Sequence, residues 1–408
     1  MSKLHSKPTL IYNSMGLKIF YKMPLVLLIF TLLQCKEQKK IENTTKTAVA
    51  IMAYYMPRAK FQPEKIPVER LTHLLFSFSH IIDGEMKFKN PDNSKKLKQV
   101  VLQKHRNPEI KIMIACGGWG ADGFSEMASS EKSRKKFINS TLQFIEAYQL
   151  DGLDIDWEYP GIPAAGTKSS VHDKTNFTLL MKELRENLDR LNRPMTLTFA
   201  SAGWKPYYKN IDLHDVMKYV DYMNIMTYDQ VTDGSPYTAH HTALGWINKR
   251  DIIGTPAGTA VYAQNKDYEP SSAEMIITYC IEQGVKPEQI IIGGAFYGRA
   301  WQGVPPALNG LYQPNNGAYR SAGSYSTIRE NFENKNGYIR YWDSIAKAPY
   351  LYNAKDSIFI SYDDPKSVAL KTKYAIDNTL GGIMFWQLGG DTTDKNGLLE
   401  AIHTAATK

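Results

Sequence analysis

The segment Asp151-Gly152-Leu153-Asp154-Ile155-Asp156-Trp157-Glu158-Tyr159-Pro160 sets four acids within eight residues of an otherwise apolar, strand-like run. If residues 150–158 form a strand, Asp154, Asp156 and Glu158 share one face, and Leu153, Ile155 and Trp157 occupy the other. The result is a ladder of carboxylates about 6.6–7 Å apart along a single strand. Like charges at that spacing disfavour joint ionisation, so some of the ladder is expected to hold a proton near neutrality. A carboxylic acid kept neutral there can protonate a leaving group. A merely solvated strand face would mix in Lys, Thr or Ser and would not need a Trp and two branched aliphatics opposite.

Outward from this run, short β-branched or aromatic stretches alternate with amphipathic helical ones, the pattern of a parallel α/β fold. Eight strands are expected, at 48–55, 71–78, 110–117, 150–158, 195–200, 220–228, 289–296 and 381–388. Between them, Phe137, Thr141, Phe144, Ile145 and Tyr148 keep helical spacing, as do Phe177, Leu180, Met181, Leu184, Leu188 and Leu191. Eight strand–helix units predict an α/β fold of the (β/α)8 TIM-barrel type, with function gathered at the C-terminal ends of the strands. An open doubly wound sheet would also alternate, but no Gly-x-Gly-x-x-Gly follows the first strand. The interval between the seventh and eighth strands is too long for a simple crossover. It reads as a small α+β insertion at about 300–362, with a helical piece near 326–334 and strands near 337–342 and 357–362.

Asp-x-x-Asp-x-Asp-x-Glu, filled here by Asp151, Asp154, Asp156 and Glu158 and followed by Tyr159-Pro160, resembles the signature of glycoside hydrolase family 18, the chitinases and their relatives. Further segments resemble the family in the same order along the chain, from about residue 48 to 400. Ala115-Cys116-Gly117-Gly118-Trp119-Gly120 is similar to its Ser-x-Gly-Gly-Trp segment, with Ala115 where many members carry Ser. Met226-Thr227-Tyr228-Asp229 matches Met-x-Tyr-Asp, and one of Tyr228 and Asp229 should lie where the strand gives way to a loop, because both cannot face inward. Gly294 to Ala300 and Gly382 to Trp386 are similar to the ends of the seventh and eighth strands, and the interval between them resembles the insertion domain of the larger chitinases.

The resemblance implies a retaining, substrate-assisted chitinase acting on β-1,4-linked N-acetylglucosamine polymers or oligomers. Glu158 would be the acid, Asp156 and Asp154 would share a proton, and Tyr228 would hold the acetamido oxygen. It implies substrate contacts from Gly117, Gly118, Trp119, Tyr159, Met226, Asp229, Tyr297, Arg299 and Trp386. Tyr54 and Phe78 stand where the family lines the same subsite, though either could equally be plain core. Trp119, Trp204, Trp301 and Trp386 all fall near strand ends, where a flat apolar face suits a sugar ring. No cofactor and no metal are implied, and the adjacent His240 and His241 read as a loop feature. The alternatives are an endo-β-N-acetylglucosaminidase of N-glycan or peptidoglycan cores and a non-catalytic, lectin-like chitin-binding protein, which the intact Glu158 disfavours.

The net charge of +8 carries little information about partners. Residues 1–46 hold eight Lys and two Glu, a net +6, which leaves +2 for the remainder and no footprint for nucleic acid. Lys18 and Lys22 precede the apolar run from Leu25 to Leu33, which has the parts of an export signal and is too short to span a bilayer. Leu32-Leu33-Gln34-Cys35 resembles a bacterial lipobox, with Cys35 as the lipidated residue. The expected organisation is a signal over 1–35, a flexible tether over 36–46 and a catalytic domain over 47–408. The protein is then an exported monomer touching the membrane only through its lipid. Cys116 and Cys280 are expected as two buried thiols.

Overall fold

The computed structural model describes residues 47–57 and 61–407. The expected leader, with Cys35, and the whole of the tether lie outside them.

The strands, in chain order, are β1 (Ala50–Tyr55), β2 (His73–Ile82), β3 (Glu85–Lys87), β4 (Lys111–Gly117), β5 (Gly152–Asp156), β6 (Thr196–Ala202), β7 (Tyr222–Met226), β8 (Ile290–Ala295), β9 (Arg299–Gln302), β10 (Ile339–Asp343), β11 (Ala348–Asn353), β12 (Ile358–Ser361) and β13 (Gly382–Trp386). Eight of them pair in parallel in the order β1-β13-β8-β7-β6-β5-β4-β2, and a β1–β2 pairing closes the barrel. β3 is a short antiparallel hairpin partner of β2.

Two-residue periodicity divides the apolar side chains between two layers. Leu153, Ile155 and Trp157 join the outer core with Phe177, Leu180 and Leu184, whereas Met52, Tyr54, Leu75, Met113, Ala115, Ile291 and Met384 fill the barrel interior. Helix Glu131–Tyr148 starts at Ser130, whose side chain accepts from the Ser133 amide and satisfies one free N-terminal donor. Phe137, Ile138, Thr141 and Ile145 are its buried stripe. Helix Asp173–Leu188 buries Phe177, Leu180, Met181, Leu184 and Leu188 as its spacing foretold, while Leu191 lies past its end and is only partly buried. Cys116 and Cys280 are both buried and free. None of the described helices is long and apolar enough to cross a membrane.

The interval between β8 and β13 carries helix Tyr325–Asn331 and an antiparallel sheet in the order β10-β11-β12-β9. β9 and β11 were not foreseen. Nor was the connection from β7 to β8, which also exceeds a simple crossover and holds the helices Lys249–Ile252, Pro256–Gln264 and Ala273–Glu282. Its Ala243, Ile247, Ile252, Ala257 and Tyr262 share a second apolar core with Trp301, Val304, Tyr350, Tyr352 and Phe359 of the insertion. Each segment alone leaves apolar side chains uncovered, so the two fold onto each other. Trp301 is fully buried in that core, which removes it from the aromatic residues expected to meet sugar.

Candidate active site

A cleft of about 890 Å³ opens at the C-terminal ends of the barrel strands. Tyr54, Phe78, Gly117, Gly118, Trp119, Asp156, Glu158, Tyr159, Met226, Tyr228, Asp229, Tyr297, Arg299 and Trp386 all line it. Asp154 is the one expected site residue that does not, because it lies beneath the cleft inside the barrel with no exposed surface.

The acid ladder differs from the expected strand in its last step. β5 ends at Asp156, and Glu158 sits in the turn that follows. Neighbouring strands hold that turn closely: the Gly118 amide donates to the Asp156 carbonyl at 2.9 Å, and a Cβ on Gly117 would stand 1.9 Å from the same oxygen. Gly117 has φ +125°, so both its conformation and its contact demand glycine. The peptide bonds Ser77–Phe78, Glu158–Tyr159 and Trp386–Gln387 are cis, each beside a residue of the cleft.

Asp154 accepts hydrogen bonds from Thr198 Oγ1 (2.6 Å), Tyr54 Oη (2.9 Å) and Asn224 Nδ2 (3.1 Å). Burial raises its pKa to about 6, with those three donors working in the opposite direction. Asp156 Oδ1 is buried without a hydrogen-bond partner. Burial, then the charges of Glu158 and Asp154, push Asp156 far above the usual carboxylate range. Burial likewise raises Glu158 to about 7, opposed by Tyr159 and reinforced by Asp229. Asp156 and Glu158 are pushed toward holding a proton near neutrality as the ladder suggested, whereas Asp154, at about 6, is mostly ionised there; removal from water is the larger cause and mutual repulsion the smaller.

Aromatic side chains form the floor and rim. Trp386 stacks on Phe78 (centroids 5.4 Å apart, planes 18° apart) and tilts against Tyr54 at 6.0 Å. Phe78 and Tyr54 therefore belong to the site, although Tyr54 also packs in the core. Trp119 stands exposed at the rim, edge-on to Tyr159, which meets Trp204 in turn.

β7 ends at Met226, so Tyr228 and Asp229 both lie past the strand where only one of them was expected to, and Asp229 takes φ +54°. Its Oδ1 accepts from Tyr297 Oη at 2.7 Å and Arg299 Nε at 2.8 Å, and His241 Nδ1 lies 3.6 Å away. Burial resists its ionisation, yet the His241 ring and Arg299 outweigh burial and hold the carboxyl below its ordinary range. His241 is thus a buried backing to the site rather than a simple loop feature, while its neighbour His240 pairs with Asp343 of the insertion at 3.1 Å.

The sequence reading missed Thr198, Asn224, His241 and Asp233, which accepts from Arg299 Nη1 at 2.9 Å. Thr198 and Asn224 left one signal, a polar residue at an inward position of an otherwise apolar strand. Among the described residues no group of His, Cys, Asp and Glu could hold a metal ion.

The family model described as glycosyl hydrolases family 18 matches residues 50–391. Chitinase A1 of Niallia circulans is 37% identical over 310 residues, which are 72% of this chain and 42% of that protein. The chain therefore spans less than half the length of that relative. A solved family 18 N-acetylglucosaminidase from Paenibacillus barengoltzii is similar with a TM-score of 0.77 and 33% identity, over 88% of this chain and 99% of that one. The Ostrinia furnacalis group IV chitinase in complex with allosamidin is similar with a TM-score of 0.76 and 29% identity, over 87% of this chain and 98% of that one.

Proposed function

This chain belongs to glycosyl hydrolases family 18, and from that membership we propose that it is a chitinase, hydrolysing β-1,4-linked N-acetylglucosamine chains with retention and with the substrate's own acetamido group as nucleophile. The observation that carries the reading is the placement of Glu158. It lines the cleft, buried and raised to about 7, so much of it is protonated at neutral pH and able to donate to a glycosidic oxygen.

A retaining enzyme with two carboxylates needs a nucleophile roughly 5–5.5 Å from its acid, and family 18 is a known substrate-assisted exception to that scheme. Asp156 follows the exception: it stands two residues before Glu158 on the same side of the cleft. Asp229, the other carboxylate that lines the cleft beside Tyr228, is occupied by Tyr297 and Arg299. In the proposed sequence Glu158 protonates the bridging oxygen while the acetamido oxygen closes on the anomeric carbon, breaking the glycosidic bond. Asp156 accepts the acetamido N–H and Tyr228 donates to its oxygen, stabilising the oxazolinium ion. Water then gives a proton to Glu158 and opens the ring. Trp386, stacked on Phe78, forms the sugar floor, and Trp119 and Trp204 extend the aromatic surface toward neighbouring rings.

The likeness to an N-acetylglucosaminidase supports a second reading, in which single sugars are released from chain ends. Product analysis on chitin oligomers of graded length tests both. Internal cleavage into dimers and larger fragments supports the first reading, stepwise monomer release supports the second, and an absence of products from every oligomer rejects both. Export with lipidation at Cys35 belongs to the same proposal, supported by the basic, apolar and cysteine order of residues 18–35. Mass analysis of the mature N-terminus checks it.

A further inference from the structure

We propose that Thr198 and Asn224 are positioning residues that fix Asp154 as an ionised acceptor and thereby confine the exchangeable proton of the buried pair to Asp156. The argument counts donors. Asp154 Oδ1 faces Thr198 Oγ1 at 2.6 Å and Asn224 Nδ2 at 3.1 Å, and an amide NH2 can only donate, so this oxygen accepts. Oδ2 faces the Tyr54 hydroxyl at 2.9 Å. That hydroxyl already accepts from Asn224 Nδ2 at 3.2 Å, and Asp154 is the acceptor it has for its own hydrogen. A proton on Oδ2 would leave the Tyr54 hydrogen buried and unpaired.

Residue 115, directly beside Asp154 in the β4–β5 register, presents a methyl group and supplies no further donor or acceptor. Asp156 has the opposite surroundings: Oδ1 is buried and unpartnered, and the carboxyl faces the cleft. The groups around Asp154 are Tyr54 from β1, Cys116 from β4, Asp156 from β5, Thr198 from β6 and Asn224 from β7, and none of them is a cation. Its negative charge is therefore held by neutral donors alone, and each donor matters more than it would beside an Arg or Lys. Thr198 and Asn224 are fully buried and are not among the residues lining the cleft, so they act only through Asp154.

The test is a pH titration of the carboxyl groups by infrared difference spectroscopy on folded protein without substrate, with Asp154→Asn identifying the Asp154 band. Thr198→Val should move that band's midpoint upward by about one pH unit, the scale of one lost hydrogen bond to a charged group, and Thr198→Ser should restore it. Asn224→Leu should move it the same way. In hydrolysis assays the acid limb of kcat/KM should rise with the midpoint in Thr198→Val, with KM altered less than kcat. A midpoint unmoved in correctly folded Thr198→Val and Asn224→Leu overturns the inference, as does a band that titrates with Asp154 protonated at pH 7. The inference rests on the hydrolase reading only for its kinetic arm. Infrared shifts without hydrolysis by the wild type would reject that reading alone, and hydrolysis with unmoved bands would reject this one alone.

Discussion

Replacing Glu158 by Gln keeps the shape of the side chain and removes the proton that the proposed mechanism delivers to the leaving group. The expected loss has two components. General acid catalysis by a positioned side chain contributes typically 10²–10⁴-fold, or about 3–5 kcal/mol of barrier at ~1.36 kcal/mol per tenfold. The second component is the availability of that proton. A carboxyl at the ordinary 4.5 would be protonated in roughly one molecule in 300 at pH 7, whereas at about 7 roughly half the molecules carry the proton. Burial of the turn after β5 therefore raises the working fraction of acid on the order of 150-fold. Because the protonated form is the active one, wild-type kcat/KM should fall as pH rises through about 7, and Glu158→Gln should lose that alkaline limb along with its rate. The assay is hydrolysis of chitotetraose across pH, paired with an aryl chitobioside whose leaving group needs little protonation. Glu158→Gln should be strongly impaired on the first and much less impaired in bond breaking on the second. A folded Gln variant cleaving chitotetraose at the wild-type rate, or equal losses on both substrates, would refute the assignment of Glu158 as the acid.

Gly117→Ala should lower stability by roughly 1–3 kcal/mol or more in urea unfolding, because its Cβ would meet the Asp156 carbonyl at 1.9 Å in a backbone that favours glycine. Trp386→Ala should raise KM for oligomers about tenfold, the scale of one lost aromatic platform, while leaving the alkaline limb of the pH profile in place. Lys371→Met should destabilise by about 3–5 kcal/mol, since Asp363, wholly buried and 2.7 Å from Lys371 Nζ, would remain as an uncompensated charge. Replacing both partners by apolar residues should recover part of that loss in the same urea titration. Asp229→Asn should loosen Tyr297 and Arg299 and raise KM more than it lowers kcat, a split that initial-rate kinetics would show.

The barrel was legible because each of its strands carries a period of two or a β-branched run, and because the acid ladder needs an enclosed face to aim at. The cleft residues were legible as motifs at the strand ends, where Trp119 follows Gly117-Gly118 and Tyr297 precedes Gly298. What escaped was everything decided by long-range contact. Thr198 and Asn224 look like ordinary polar strand residues until β5, β6 and β7 are set side by side. His241 looks like half of a dipeptide in a loop until Asp229 is placed against it. Trp301 was misjudged because position near a strand end does not reveal which side of the sheet will be covered. The connection from β7 to β8 gave no periodic signal strong enough to announce that it would pack on the insertion, since its helices are short and its apolar residues scattered.

That mutual packing limits how this groove could be remodelled. Arg299 and Tyr297 reach the sugar path from the base of a buttress woven from two chain segments, and Trp301, Tyr350 and Phe359 are sealed only while both remain. Trimming either one to widen the groove for a thicker or branched polymer would strip the covering from the other. A shallower relative is therefore more readily built by removing both segments at once than by shortening the insertion alone.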